Sequence, residues 1–410
     1  MPEFVSQLFR DLSAQRLRTF LTLLGITWGT VAVVVLMAFG VGFEKQTRAN
    51  MAGMGDGIVV VFGGRTTKPF MGFNDGRGIG LREADVEVIQ QQIPGIASIS
   101  PEYRTSSAVA RVDTSSTIPA TTGVYPEYAD MRNIIPEPGG RFLNELDERN
   151  RRRVVVLGDQ VKRLLFGAEE ALHKQIILGG TPFTVIGVMA PKTQSSSYGS
   201  RDTDRVFIPA STFESVFGHR YLSNIIYKPL DASNSPAIEA KLYEVMGSRY
   251  RFDPTDKDAL GVWDTNELTR LLDGIFIGIA VFMMVVGAFT LVVGGVGVAN
   301  IMYIVVKERT REIGIKRSLG ARRRTILAQF LGEAGFIVLM GAALGMVISA
   351  ALVKGASFLP VQEAVGVPEM SAGVLIGTAL LLGLIALLAG FFPARRAAAV
   401  SPVEALRYGV

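Results

Sequence analysis

The chain has 410 residues, of which 49% are hydrophobic and 19% charged, whereas an ordinary soluble domain carries about 25% charged residues. It has no cysteine and two histidines, which excludes disulfides, a thiolate nucleophile and a Cys-based zinc site. Forty-two Lys and Arg against 37 Asp and Glu give a formal charge of +5, and such a basic, apolar chain suits a membrane protein as well as a nucleic-acid binder.

In chain order, residues 1–18 place Phe4, Val5, Leu8, Phe9 and Leu12 on one helical face, with Arg10, Asp11 and Gln15 elsewhere. That pattern predicts a short amphipathic helix lying along a membrane surface. Residues 19–43 form the first of four segments free of Asp, Glu, Lys and Arg; the others are 274–306, 334–353 and 370–394. Each exceeds or meets the roughly 20 apolar residues of a spanning helix, and the first is too long for a signal peptide. The second is longer than a bilayer needs and is expected to tilt or to project as a stalk. Small residues four apart recur in three of them: Gly25 and Gly29, Gly274 and Gly278, Gly341 and Gly345. Such pairs let helices approach closely, within one bundle or across a dimer face.

Residues 44–273 read as a mixed α/β domain. Strands are expected within Gly57–Gly64, Arg153–Asp159, Val206–Ala210 and Asn224–Tyr227, with a hairpin across 176–188 turning at Gly179-Gly180. Helices are expected over 81–92 and 237–250. The glycine-rich stretch 63–80 and the stretch 194–200 read as mobile loops. No nucleophile elbow, H-E-x-x-H or calcium-loop spacing occurs. His173 and His219 stand alone, Arg151-Arg152-Arg153 reads as a solvated charge run, and the pairs Glu169-Glu170 and Asp256/Asp258 have no companion group. The domain is expected to bind a partner or cargo.

The basic residues then set an orientation. Residues 307–333 hold eight of them: Lys307, Arg309, Arg311, Lys316, Arg317, Arg322, Arg323 and Arg324. Arg10, Arg16 and Arg18 precede the first span, Arg395, Arg396 and Arg407 follow the last, and only Lys354 lies in the connection 354–369. Both termini and the 307–333 loop are therefore expected in the cytoplasm, and 44–273 outside. On that assignment the cytoplasmic segments carry 14 basic and 6 acidic residues, leaving 28 and 31 for the rest of the chain. The net positive charge records a topology and gives no support to nucleic-acid binding.

Within the basic loop, Glu312 lies three residues after Arg309 and four before Lys316, a spacing for side-chain pairing on a short helix. Ile313 and Ile315 are expected to give it apolar contacts, and Gly320 to end it. Arg311-Glu-Ile-Gly-Ile and Leu319-Gly-Ala exceed what a topological anchor requires. With Glu308 and Arg309 ahead of them, they resemble the E-R-x-x-E-I-G-x-x-x-x-x-G-A signature of the MacB/FtsX/LolC superfamily of ABC permeases, also called type VII. The ending Pro393-Ala-Arg-Arg-Ala through Pro402-Val-Glu-Ala-Leu-Arg and the entry Arg18-Thr-Phe-Leu-Thr-Leu-Leu-Gly-Ile are similar to that family's.

The resemblance implies an α-helical membrane protein with four transmembrane helices and a large mixed α/β extracytoplasmic domain. The domain's porter-like part would carry an inserted, more β-rich subdomain at about 115–205. It implies a dimer with a second permease copy, and a coupling element of Glu308, Arg309, Arg311, Glu312, Ile313, Gly314, Gly320 and Ala321 docked on an ABC ATP-binding subunit. Closure of the ATPase subunits would work the external domain mechanically, with a membrane-fusion adaptor as a further partner. MacB-type members carry a fused ATPase domain ahead of the first span, whereas this sequence begins with the amphipathic segment and contains no G-x-x-x-x-G-K-[S/T]. ATP and magnesium are therefore expected on a separate chain, with no cofactor held here. A transducer regulating an envelope hydrolase and a lipoprotein-release permease are the alternatives within the same superfamily.

Overall fold

The computed structural model describes residues 16–55, 57–192, 194, 197–358 and 366–400. Most of the expected surface helix and the last ten residues lie outside the described residues. The chain forms two compact units, residues 1–47 with 273–410, and residues 48–272.

The second unit is built on one mixed sheet of eleven strands. It begins after helix α1 (Arg16–Ala52) with β1 (Val59–Gly63). The order across it is β11-β1-β10-β2-β5-β9-β6-β8-β7-β3-β4. These strands are β2 (Ile96–Thr105), β3 (Ala110–Val112), β4 (Ser115–Thr117), β5 (Ala120–Val124), β6 (Val154–Leu157), β7 (Gln175–Leu178), β8 (Thr181–Val188), β9 (Arg205–Pro209), β10 (Asn224–Pro229) and β11 (Leu260–Asp264). β5 runs parallel to β9 and β6 to β8; the other pairings are antiparallel. The strands drawn from 115–205 continue the same sheet.

The uninterrupted apolar runs have a simple cause: both faces of the sheet are covered. Successive residues alternate between two cores, with Val59, Val61, Val155, Leu157, Ile225 and Tyr227 in one. Val60, Val156 and Ile226 lie in the other, with Phe207. A strand buried on both sides shows continuous hydrophobicity instead of alternation. The predicted hairpin turns at Gly179 and Gly180, whose φ angles of +56° and +82° suit a two-residue turn.

β1 and β11 pair from Val59↔Asp264 to Gly63↔Leu260. The next residue, Thr265, donates from N and Oγ1 to the carbonyl of Ile58, at 3.0 and 2.7 Å. The strand that follows α1 and the strand that leads to the next long helix are therefore stitched together at one sheet edge.

Two expectations need correction. Residues 63–80 are a hydrogen-bonded hairpin, pinned by Asp256, whose carboxylate accepts from Thr67 N and Oγ1 and from Lys68 N at 2.6, 2.7 and 3.0 Å. Of 194–200, Gln194, Tyr198 and Ser200 are tied into a buried ionic cluster. Glu102 accepts from Arg205 (2.8 Å), Asn224 (2.7 Å) and the Tyr198 hydroxyl (2.8 Å). Asp202 accepts from Arg132 (2.8 Å) and Lys192 (2.7 Å). A further Arg132 nitrogen donates to the carbonyl of Met54. Burial alone would push the Glu102 and Asp202 carboxyls up. For Glu102 the fields of Arg205, Arg104 and Arg132 with the Asn224 hydrogen bond, and for Asp202 those of Arg132, Lys192 and Arg205, hold them below their ordinary values.

Among the described residues, the other unit contains four helices long and apolar enough to cross a membrane: within α1, Thr19–Met51; Thr265–Glu308, which enters it from the second unit; Arg323–Ala356; and Ala372–Ala399. Their mean hydropathies of 2.2 to 2.7 all satisfy that test. Glycine sets the contacts. A Cβ on Gly29 would stand 2.8 Å from Leu291, and on Gly341 and Gly345 2.8 and 2.6 Å from Ile26 and Thr30. Thr27 Oγ1 donates to the Gly341 carbonyl across that approach, at 3.1 Å.

Candidate functional site in the basic connection between the second and third long helices

Taken in chain order, the helices after α1 are α2 (Glu83–Gln92), α3 (Tyr128–Arg132), α4 (Glu145–Arg149), α5 (Asp159–Phe166), α6 (Ala210–Phe217), α7 (Ser235–Tyr250) and α8 (Thr265–Glu308). Then follow α9 (Thr310–Ser318), α10 (Arg323–Ala356) and α11 (Ala372–Ala399). α8 ends at Glu308, Arg309 precedes α9, and Thr310 Oγ1 caps the turn by donating to the carbonyls of Val306 and Lys307 at 3.0 and 2.9 Å. The nine-residue helix α9 closes at Gly320, where φ is +91°. Ala321 N donates to the Lys316 carbonyl and Gly320 N to that of Arg317, at 3.0 and 3.2 Å. That pair of bonds is a Schellman cap, which needs a left-handed residue at its centre.

A short isolated helix is unstable in water, so tertiary contacts must hold this one. Ile313 is 2% exposed and packs with Val306, Ile326, Phe330, Ala394 and Ala397. Arg309 reaches Glu333 of α10 at 3.1 Å in a nearly buried ion pair, and Gln329 donates to the same Glu333 oxygen at 3.2 Å. Lys316 bridges Glu312 at 2.8 Å and leans on Gln329 at 3.4 Å. At the far end Arg317 donates to the carbonyls of Ala398 and Val400 at 3.2 and 2.6 Å, closing the C-terminus of α11. The helix is thus clamped to α10 at its start and to α11 at its end.

Its outer face is apolar at the centre and basic around it. Ile315 is 43% and Leu319 83% exposed, one helical turn apart, with Arg311, Arg322, Arg323 and Arg324 exposed alongside. Glu308 and Gly320 are exposed as well, whereas Gly314 is buried and Ala321 half-buried. Chemically this face offers apolar contacts and cationic hydrogen-bond donors; no His, Cys, Asp or Glu group suited to a metal ion occurs among the described residues.

Residues 19–245 match the MacB-like periplasmic core domain family, and residues 274–402 the FtsX-like permease C-terminal family. This chain belongs to the MacB/FtsX family of ABC permeases. It is 32% identical to the macrolide export ATP-binding/permease protein MacB of Bdellovibrio bacteriovorus over 411 residues, covering 100% of this chain and 62% of that protein. It is 31% identical to the pyoverdine export ATP-binding/permease protein PvdT of Pseudomonas entomophila over 415 residues, covering 99% and 60%. The periplasmic region of MacB from Actinobacillus actinomycetemcomitans is similar at 24% identity and a TM-score of 0.44, over 55% of this chain and 96% of that one. The chain spans about 60% of the length of the curated relatives it matches. As a MacB/FtsX permease it is a multi-pass membrane protein with a periplasmic domain.

Within this MacB/FtsX chain, the residues singled out in the sequence do not all gather at one place. Glu312, Ile313, Gly314, Gly320 and Ala321 lie on α9 or its cap, but Ile313 faces inward and Ile315 outward. Gly25 and Gly29 lie against α8, and Gly341 and Gly345 against α1, whereas a Cβ on Gly274 or Gly278 would meet nothing within 4 Å. Glu333 and Gln329 escaped sequence reasoning, and Arg317 and Leu319 are read there only as parts of the basic loop and its motif. The only available signal was a carboxylate just ahead of an apolar run, which needs a cation beside it.

Proposed function

We propose that this chain is the membrane subunit of an ATP-driven exporter, and that α9 docks on a separate ATP-binding subunit. The observation that supports this most directly is the pair Ile315 and Leu319, exposed at the centre of a basic rim on a helix fixed at both ends. An exposed apolar anchor on a rigid mount binds a partner at little ordering cost. The clamps then give the bound subunit leverage: a shift of α9 pulls on α10 through Glu333 and on α11 through Arg317. Movement reaches the periplasmic domain through α1 and α8, whose neighbouring strands β1 and β11 are paired. A pair of such chains, each with its ATP-binding subunit, would export an amphiphile such as a macrolide or siderophore, cargo classes for which relatives are named, with a membrane-fusion adaptor outside. The family signature in the 308–321 segment favours this reading.

The test is co-purification of the full chain with the ATP-binding subunit in mild detergent. Ile315→Asp with Leu319→Asp should weaken the complex at least about tenfold, as expected for interface anchors. Unchanged binding, or ATP hydrolysis by this chain purified alone, overturns the proposal.

A further inference from the structure

We infer that the C-terminal ends of α8 and α11 together form a binding site for an anionic phospholipid, in the leaflet remote from the periplasmic domain. On α8, Val296, Asn300, Tyr303 and Lys307 recur at helical spacing and are all exposed. On α11, Phe392 and Arg396 lie four apart and are exposed as well. The two faces adjoin. A Cβ on Gly295 would stand 2.8 Å from Ile385, and the Arg396 guanidinium lies 5.9 Å from the Tyr303 ring centre.

Along each helix the chemistry changes in the order that a phospholipid presents. Val296, 64% exposed, and Phe392, 59% exposed, are apolar and suit acyl chains. One turn beyond Val296 comes Asn300, a polar amide inside a spanning helix with no hydrogen bond to any described residue. A polar group at membrane depth needs a partner, and the ester carbonyls of a phospholipid supply acceptors for it. Tyr303 follows, an amphipathic ring of the kind that collects at headgroup level. Its ring holds Arg396 by a cation–π contact, so this cation is placed before a ligand arrives. Lys307 supplies the second. From Val296 to Lys307 the helix rises about 16 Å, which matches the distance from acyl chains to headgroups within one leaflet.

The charge on this surface is one-sided. Lys307 and Arg396 enter no ion pair with a described carboxylate. Glu308 lies about 100° round the helix from Lys307. Glu312 is paired with Lys316, and Glu333 with Arg309. Cations placed at headgroup level favour an anionic lipid over a zwitterionic one. Two other occupants fit less well. A second copy meeting this face about a two-fold axis would set Lys307 and Arg396 against their own like charges. A soluble subunit would have to cover Val296 and Phe392, which belong to the membrane-spanning helices.

The experiment titrates the purified full-length chain in mild detergent with two phospholipids of identical dioleoyl chains. Bound lipid is read by native mass spectrometry. Phosphatidylglycerol should bind at least about tenfold more tightly than phosphatidylcholine. Lys307→Gln with Arg396→Gln should abolish that preference without moving the melting temperature, since both side chains are exposed. Lys45→Gln with Lys354→Gln removes two exposed cations near the opposite membrane face and should leave the preference intact. Equal binding of the two lipids, a preference that survives Lys307→Gln with Arg396→Gln, or an equal loss in the control pair would overturn the inference. So would displacement of the lipid by inorganic phosphate, or a fall from dimer to monomer mass in place of lipid loss. No ATP-binding subunit takes part, so this measurement and the docking assay on α9 fail separately.

Discussion

Glu102, Arg132, Asp202 and Arg205 have side chains wholly removed from water. Each such ion costs several kcal/mol in desolvation unless its partners are well placed. Here they are, and the return is positional: Arg132 ties the Met54 backbone to the segment that carries Asp202. Glu102→Gln keeps the shape but leaves Arg205 without its charge, and should lower stability by about 3–5 kcal/mol, read as a drop in the melting temperature of the purified protein. The pH dependence follows from the direction of the shifts. Both carboxyls titrate lower in the folded state than in the unfolded chain, where they titrate near 4. Their contribution is therefore whole above about pH 5 and is lost as the pH falls through the unfolded value toward the folded one. The wild-type melting temperature should fall steeply below about pH 4, and less steeply in Glu102→Gln. Parallel curves would show that this carboxyl is not responsible.

At the level of elements, α9 separates stability from function. Glu312 and Lys316 are both more than a third exposed, and a helical pair of this kind contributes only about 0.3–0.5 kcal/mol. Glu312→Lys should thus leave the melting temperature nearly unchanged while, on the proposed docking of α9, lowering ATP-dependent transport at least about tenfold, because it reverses a charge on the same short helix as the Ile315 and Leu319 anchors. Equal losses in both measurements would reduce α9 to a structural turn. Gly314→Pro is the harsher variant, since proline inside so short a helix costs about 3 kcal/mol. The cap at Gly320 and the Glu312–Lys316 pair were legible because capping and i,i+4 contacts are local. The clamps were not: Arg309 to Glu333 and Arg317 to Val400 join residues 24 and 83 positions apart. The sheet divides in the same way. Strands such as β1, β6, β9 and β10 announce themselves by apolar runs, whereas β2 is broken by Pro101, Glu102 and Arg104. Nothing local says that Glu102 can be buried, because its partners Arg205 and Asn224 lie more than a hundred residues on.

At the scale of the whole molecule, α8 is the outlier. Its 44 residues would extend about 66 Å, against a hydrocarbon core of about 30 Å. Its most apolar window is 17% buried, where the other three helices reach 33% to 44%. Phe282, Phe289 and Val293 are exposed along it, and Gly274 and Gly278 open onto empty space. Lipid can cover apolar side chains, but small residues four apart make a lipid-facing groove that a second helix fills better. On the proposed pairing of two such chains, a second copy of α8 is the expected occupant, since a two-fold interface brings the same residue of each chain toward the axis. The absence of cysteine makes this directly measurable. Gly278→Cys would be the only thiol in the chain, and oxidation in the membrane should yield a covalent dimer. Val347→Cys on α10, where the native side chain is 69% exposed, should stay monomeric under the same oxidant. Crosslinking at Val347 but not at Gly278 would move the dimer face from α8 to α10, and with it the route by which one chain's motion reaches the other.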